Sequence, residues 1–240
     1  MSDQELAPNG FKIPKKYKGG ELPKKRSFLK MLSIFFEKPV RPGKDFDDES
    51  DCIWSEYNLG NRFRADAFIQ FQGNGIIFEY DGPDHYINTF KMETDERKNK
   101  LIEDQGLNYY RFPYYLQLTK DVAKFFFEDK FDLYTDKKFK ECLKQIYKTD
   151  DEKNILAPGF HTTMHTPANF ISKGFDRFLK EIDYLPSSVK SQVVHSLNLY
   201  IKRSNGRAHM IVPDWHQKFI LFMKHKPNPE DLGYFFSSEV

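Results

Sequence analysis

Apolar residues recur at helical spacing over residues 27–36, behind a serine placed to cap the first turn, and Pro39 and Pro42 stop the run. The polar stretch 39–51 reads as a linker. Two segments of strand character follow, 62–72 and 75–81, joined at Gly73-Asn74. Gly82-Pro83-Asp84-His85 reads as a loop leading to a charged helix over about residues 93–105, closed by Gly106. Residues 107–112 read as another strand, ended by Pro113. Helical patterns cover 119–127, 137–147, 168–182 and 187–202, and 210–212 and 218–223 are candidates for short strands. A Gly/Pro/Thr/His segment at 157–167 marks a boundary. The chain therefore divides into a flexible basic arm (1–26), an α/β (α+β) domain (27–157) and a mainly helical C-terminal region (158–240).

The hairpin carries the chemistry. A two-residue Gly-Asn turn sets Gln72 opposite Gly75, Phe71 opposite Ile76, Ile69 opposite Phe78 and Ala67 opposite Tyr80, an apolar face to be buried under a helix. The other face then pairs Phe68 with Glu79 and Asp66 with Asp81. Cross-strand neighbours lie about 5 Å apart, so three carboxylates converge on one patch. Like charges at that range raise one another's pKa. A divalent cation removes the repulsion, and hard carboxylate oxygens suit Mg²⁺ or Mn²⁺. Asp66, Glu79 and Asp81 are thus the expected metal ligands.

Composition narrows the classes. With 39% hydrophobic and 30% charged residues, the chain has neither membrane nor disordered character, and 24 Phe and 13 Tyr predict a ring-rich core. No apolar run approaches the roughly 18 residues of a membrane span, and the first 20 residues lack an apolar signal core, so a cytoplasmic location is expected. Two cysteines, Cys52 and Cys142, supply neither a disulfide framework nor a zinc ribbon. A net charge of +2 does not itself imply a nucleic-acid partner. Eight basic residues between Lys12 and Lys30 could lie along phosphates or form a solvated leader. An acidic patch follows at Asp45, Asp47, Asp48, Glu49 and Asp51.

Arg64-Ala65-Asp66, Phe78-Glu79-Tyr80-Asp81-Gly82, His85, Asp95-Glu96-Arg97, Leu101, Gly106 and Arg111-Phe112 form an ordered series between residues 56 and 118. This series resembles the PD-(D/E)xK nuclease superfamily, in the branch similar to the very-short-patch mismatch-repair endonuclease and related homing endonucleases. The resemblance implies a restriction-endonuclease-like mixed β-sheet flanked by helices, with Asp66 and Glu79 at the metal. Asp81 stands where many superfamily members place a lysine. The departure leaves open which group activates water. Glu56 is a further acidic candidate.

The expected function is that of a Mg²⁺- or Mn²⁺-dependent DNA endonuclease. In that reading Asp66, Glu79, Asp81, His85 and Asp95 are catalytic, and Arg64, Arg97 and Lys98 contact nucleic acid. His85 acts as general base or orients water, or else simply bonds a neighbouring carboxylate. Asp95 orients His85 or holds a second metal, and Arg97 meets a phosphate or pairs with Glu93 on its own helix. Asp81-Gly82-Pro83-Asp84-His85-Tyr86 also resembles the RAP domain, which implies a non-catalytic RNA-binding module. A third class uses the acids as a structural Ca²⁺ or Mg²⁺ staple. His161 and His165 have ligand spacing but no partner at zinc spacing, and Lys137, Lys138, Lys140 and Lys144 form either a DNA-facing edge or a solvated face. Trp54 and Trp215 are expected in the core.

Overall fold

A computed structural model describes residues 25–43, 51–155, 157–160 and 167–203. Most of the basic arm, residues 44–50 of the acidic patch, His161, His165, Trp215 and the strand candidates at 210–212 and 218–223 lie outside the described residues.

Helix α1 (Lys25–Phe36) buries Phe28, Met31, Leu32, Phe35 and Phe36, a stripe set by the three- and four-residue spacing of its apolar positions. Beneath it lies a five-stranded mixed sheet in the order β1 (Val40–Pro42), β2 (Ile53–Gly60), β3 (Phe63–Phe71), β4 (Asn74–Asp81), β5 (Asn108–Pro113). Strands β2, β3 and β4 are antiparallel neighbours, while β1 and β5 run parallel to β2 and β4. Strand β1 falls within the stretch expected to be a linker. It is a three-residue edge strand, where a proline's missing donor is tolerated. Strand β2 carries no clean alternation, which hid it from the sequence reading.

The expected hairpin exists, with a corrected register. The turn residues are Gln72 (φ 50°) and Gly73 (φ 83°), not Gly73 and Asn74. A primed turn needs positive φ at both central positions and favours glycine at the second, which moves the loop back by one residue. Phe71 therefore faces Asn74, Ile69 faces Ile76 and Ala67 faces Phe78. The shift moves each partner by two residues, so every side chain keeps its expected face. Ala67, Ile69, Ile76 and Phe78 do lie buried against α1, with Phe36 edge-on to Phe71 (5.3 Å) and Phe78 (5.6 Å).

On the other face, Phe68, Ile77, Tyr109 and Ile102 form a second cluster under helix α3 (Thr89–Asp104). Helix α3 begins four residues earlier than expected because Asn88 accepts the Lys91 N–H and caps it. Asp84 and His85, expected in a loop, instead open a short helix, α2 (Asp84–Ile87), with His85 and Tyr86 buried. Strand β5 returns parallel to β4, so α3 is the crossover between them.

Helices α4 (Lys120–Phe127), α5 (Asp136–Cys142), α6 (Ser172–Tyr184) and α7 (Ser187–Arg203) complete the described chain, and α5 continues as a π-turn over Leu143–Tyr147. The first hydrophobic cluster does not stop at the boundary expected near residue 157. It runs from Phe28 through Phe170, Phe175, Phe178, Ile182 and Val193 to Leu197. Tyr86 stacks on Phe170 at 4.9 Å, and its carbonyl accepts the Ile171 N–H at 3.1 Å. A Cβ at Gly174 would meet that same carbonyl oxygen at 1.9 Å, so α6 lies directly on α2 only because residue 174 has no side chain. The architecture is mixed α/β, a mixed sheet flanked by helices. Among the described residues no helix is long and apolar enough to cross a membrane.

Candidate active site

The chemistry gathers where β3, β4 and β5 meet α3. At the outer end, Ser55 faces Ala67 and Tyr57 faces Ala65, which leaves Glu56 across from Asp66. Glu56 is held at φ 54°, and the strands change faces there: Ile53 and Ala67 join the α1 cluster, whereas Tyr57 and Ala65 join the α3 cluster. The β2–β3 register runs on unshifted past Glu56, and the register irregularity lies further along, between Asn58 and Gly60. Asp66 Oδ2 accepts the Tyr80 N–H at 2.7 Å, taking the role of a ladder acceptor. Its Oδ1 meets the Lys25 ammonium at 2.8 Å, and Lys25 also pairs with Glu56.

Glu79 is only 2% exposed. Its Oε2 accepts from Lys98 Nζ at 2.8 Å, and Lys98 also donates to the Arg64 carbonyl at 3.1 Å. Its Oε1 is buried with no hydrogen-bond partner. Burial pushes the Glu79 carboxyl up to about 7 and the Asp66 charge adds to that, while Lys98 and Arg111 oppose it. Lys98, expected at a nucleic-acid surface, is instead buried against this carboxylate: α3 turns that face toward the sheet. Arg64 and Arg97 are exposed, and Arg97 bonds within its own helix, to the Glu93 carbonyl and the Thr94 hydroxyl.

Asp81 has a different fate. It is fully buried and accepts from Arg111 at 2.5 Å and from Arg177 of α6. His85 Nδ1 lies 2.5 Å from Asp95 Oδ2 and 3.3 Å from Asp81 Oδ1. Arg177 reaches Asp95 Oδ2 at 3.3 Å and Glu181 Oε1 at 2.7 Å, and its guanidinium lies 4.9 Å from the Tyr86 ring centre. Tyr86 and Tyr115 both donate to Glu181 Oε2 at 2.7 Å. Burial alone would raise both aspartates, but Arg111, Arg177 and His85 hold each below its ordinary range.

The expected convergence of Asp66, Glu79 and Asp81 on one cation is therefore corrected. Among the described residues the three acidic or histidine side chains with ligand atoms mutually within 4.8 Å are Asp81, His85 and Asp95. That group has metal-ligand chemistry, yet both Asp81 oxygens and Asp95 Oδ2 already receive charged or ring donors. Two guanidiniums inside the cluster repel a further dication. Each group keeps one orphaned buried oxygen, Asp95 Oδ1 in the first and Glu79 Oε1 in the second. The Asp66–Glu79 pair, however, carries single ammoniums, one of them from the part-exposed Lys25, which a dication displaces more readily than two buried guanidiniums. Mg²⁺ keeps several waters and is commonly held by one or two carboxylates, so two suffice.

Of the residues singled out from sequence, the structure joins His85 to Asp95 and Asp81, and Glu79 to Lys98, while Arg64 and Arg97 stay at the surface. Sequence reasoning missed Arg177, Glu181 and Lys25. The signal for the first two was legible: an Arg/Glu pair four residues apart inside the apolar stripe of α6, beside Phe178 and Ile182. Comparison with protein-family models, with curated proteins and with solved structures gave no match.

Proposed function

We propose that the chain is a metal-dependent nuclease that hydrolyses phosphodiester bonds in DNA, with Asp66 and Glu79 holding Mg²⁺ or Mn²⁺. The observation that carries this reading is Glu79: a buried acid with one oxygen unpartnered, its pKa pushed up to about 7, beside a second carboxylate. A protein interior seldom keeps such a group without a use for it. The mixed sheet flanked by helices is compatible with the fold implied by the nuclease resemblance.

A bound dication would polarise a phosphodiester oxygen and lower the pKa of its water. The chain's own residues do the rest. Lys98, anchored by Glu79 and the Arg64 carbonyl, supplies the positive charge that position 81 does not, and opposes charge developing on phosphate. Asp95 ties His85 through Nδ1, which leaves Nε2 as the ring atom for moving a proton. Arg111 and Arg177 fix Asp95 and Asp81, and so fix the imidazole.

The test incubates the protein with plasmid, single-stranded DNA and RNA in Mg²⁺, Mn²⁺ or EDTA, beside Glu79→Gln and Asp66→Asn. Cleavage of DNA with metal, falling roughly 10²- to 10³-fold in each variant, is expected. Cleavage that persists in EDTA or in both variants removes the mechanism. RNA binding without metal and without any cleavage would favour the RAP-like module.

A further inference from the structure

Helix α1 and the π-turn after α5 enclose an open cleft of about 610 Å³. Arg26, Lys30 and Lys148 line it, with Gln145 and short apolar side chains such as Ile146, and among the described residues no carboxylate does. Among the described residues neither Arg26 nor Lys30 forms an ion pair. For a chain whose net charge is only +2, three cations in one cleft with no carboxylate paired to them among the described residues is a local asymmetry. The wall opposite α1 is irregular backbone. The helix widens into a π-turn over Leu143–Tyr147 and ends at Lys148 in the left-handed region (φ 57°). π-turns within helices are rare and occur frequently at functional sites, while the left-handed Lys148 simply ends the helix.

We infer that this cleft is a docking surface for the phosphodiester backbone of DNA, carrying the strand onward from the candidate site. Continuity argues for a polymer over a free ion. Lys25 of α1 reaches Asp66 in the site, and Arg26 and Lys30, on the same helix, look into the cleft. Arg26 and Lys30 are one helical turn apart, so their long side chains present a row of charge and not a single point. A backbone bound there is read by charge, without sequence preference. The inference rests on the nuclease reading, and binding measured without metal separates the two.

The experiment measures binding of a duplex DNA of arbitrary sequence in EDTA, as a function of salt, for the wild type and for the double variant Arg26→Glu/Lys30→Glu. A second double variant, Arg62→Glu/Lys153→Glu, makes the same charge change at exposed positions outside the cleft. Inorganic phosphate and vesicles of anionic phospholipid are run as competing probes. The cleft variant is expected to bind roughly tenfold or more weakly and to lose about 2 from the slope of log K against log salt, with the outside variant near wild type. Equal losses in both variants would reduce the effect to net charge and overturn the inference. It is also overturned if vesicles or free phosphate occupy the cleft in a way Arg26→Glu/Lys30→Glu abolishes while DNA binding is unchanged. If DNA binds through the cleft but the wild type cuts nothing with metal present, the docking surface stands and the nuclease reading falls.

Discussion

Glu79→Gln tests whether the buried acid is poised for a cation. The folded-state carboxyl titrates near 7 against an ordinary value of 4.5. Between those values the folded protein holds a proton that the unfolded chain has released, so stability is fully present below about pH 4.5 and declines as pH rises through 7. Each pH unit across that window costs about 1.4 kcal/mol, so the wild type loses on the order of 3 kcal/mol by pH 8. Glutamine stays neutral and keeps the shape. In EDTA the variant should match the wild type at pH 4.5 and exceed it by about 3 kcal/mol at pH 8, roughly 5–10 °C in Tm. Urea melts at a series of pH values measure this difference and cancel the titration of every other group. At pH 8, Mg²⁺ at about 100 times its Kd returns about 2.7 kcal/mol to the wild type and little to the variant. A difference that stays flat with pH, or Mg²⁺ stabilising both proteins equally, would refute the reasoning.

Two further outcomes follow from the buried network. Arg177→Met leaves Asp81, Asp95 and Glu181 without their shared cation, and should cost about 3–5 kcal/mol in urea unfolding at pH 7. The two aspartates have depressed pKa values, so their share of stability is present above their ordinary 3.8 and lost as pH falls, and the variant's deficit should shrink in acid. Arg177→Lys should not rescue it, because Asp81, Asp95 and Glu181 are met by three separate guanidinium nitrogens, Nη2, Nη1 and Nε, whose spread a single ammonium nitrogen does not reproduce. Burial pushes the Cys142 thiol up to about 12, so iodoacetamide should leave it unmodified at pH 8 in native protein and label it rapidly in urea, as read by mass spectrometry.

The elements with strong periodicity were legible. The α1 stripe, the Phe/Ile face of the hairpin and the amphipathic α6 and α7 follow from spacing alone, because one buried face dictates each pattern. The turn was misplaced by one residue because Gly73-Asn74 looks like a turn dipeptide, whereas the backbone needs glycine in the second slot. Strand β2 escaped because the left-handed residue Glu56 interrupts its alternation halfway along and its register shifts between Asn58 and Gly60. In the site, Asp66, Glu79, Asp81, His85 and Asp95 were all visible as candidates, and the closeness of His85 to Asp95 was among the readings. Their grouping was not visible. It depends on cations delivered from α1, β5 and α6, up to 96 residues away in sequence for Arg177 and Asp81, and hairpin geometry contains no information about those.

Glu79 and Asp81 stand two residues apart on one strand, and α3 sets Lys98 against the first and Asp95 near the second. What separates them is saturation. Asp81 spends both oxygens on two arginines, whereas Glu79 has one lysine and an oxygen to spare. A carboxylate already neutralised by guanidiniums gains little from a dication, and one left raised and half-satisfied gains much. The two acids should therefore fail in opposite ways. Asp81→Asn should lower stability by about 3–5 kcal/mol, since it removes the charge between two buried arginines, yet the surviving fold should still gain Tm with Mn²⁺. Glu79→Gln should melt no lower than wild type in EDTA at pH 8 yet gain no Tm from Mn²⁺. Thermal melts of both variants with and without Mn²⁺ decide it. An Asp81→Asn protein that stays folded but no longer responds to Mn²⁺ would return Asp81 to the metal and undo the sorting by charge.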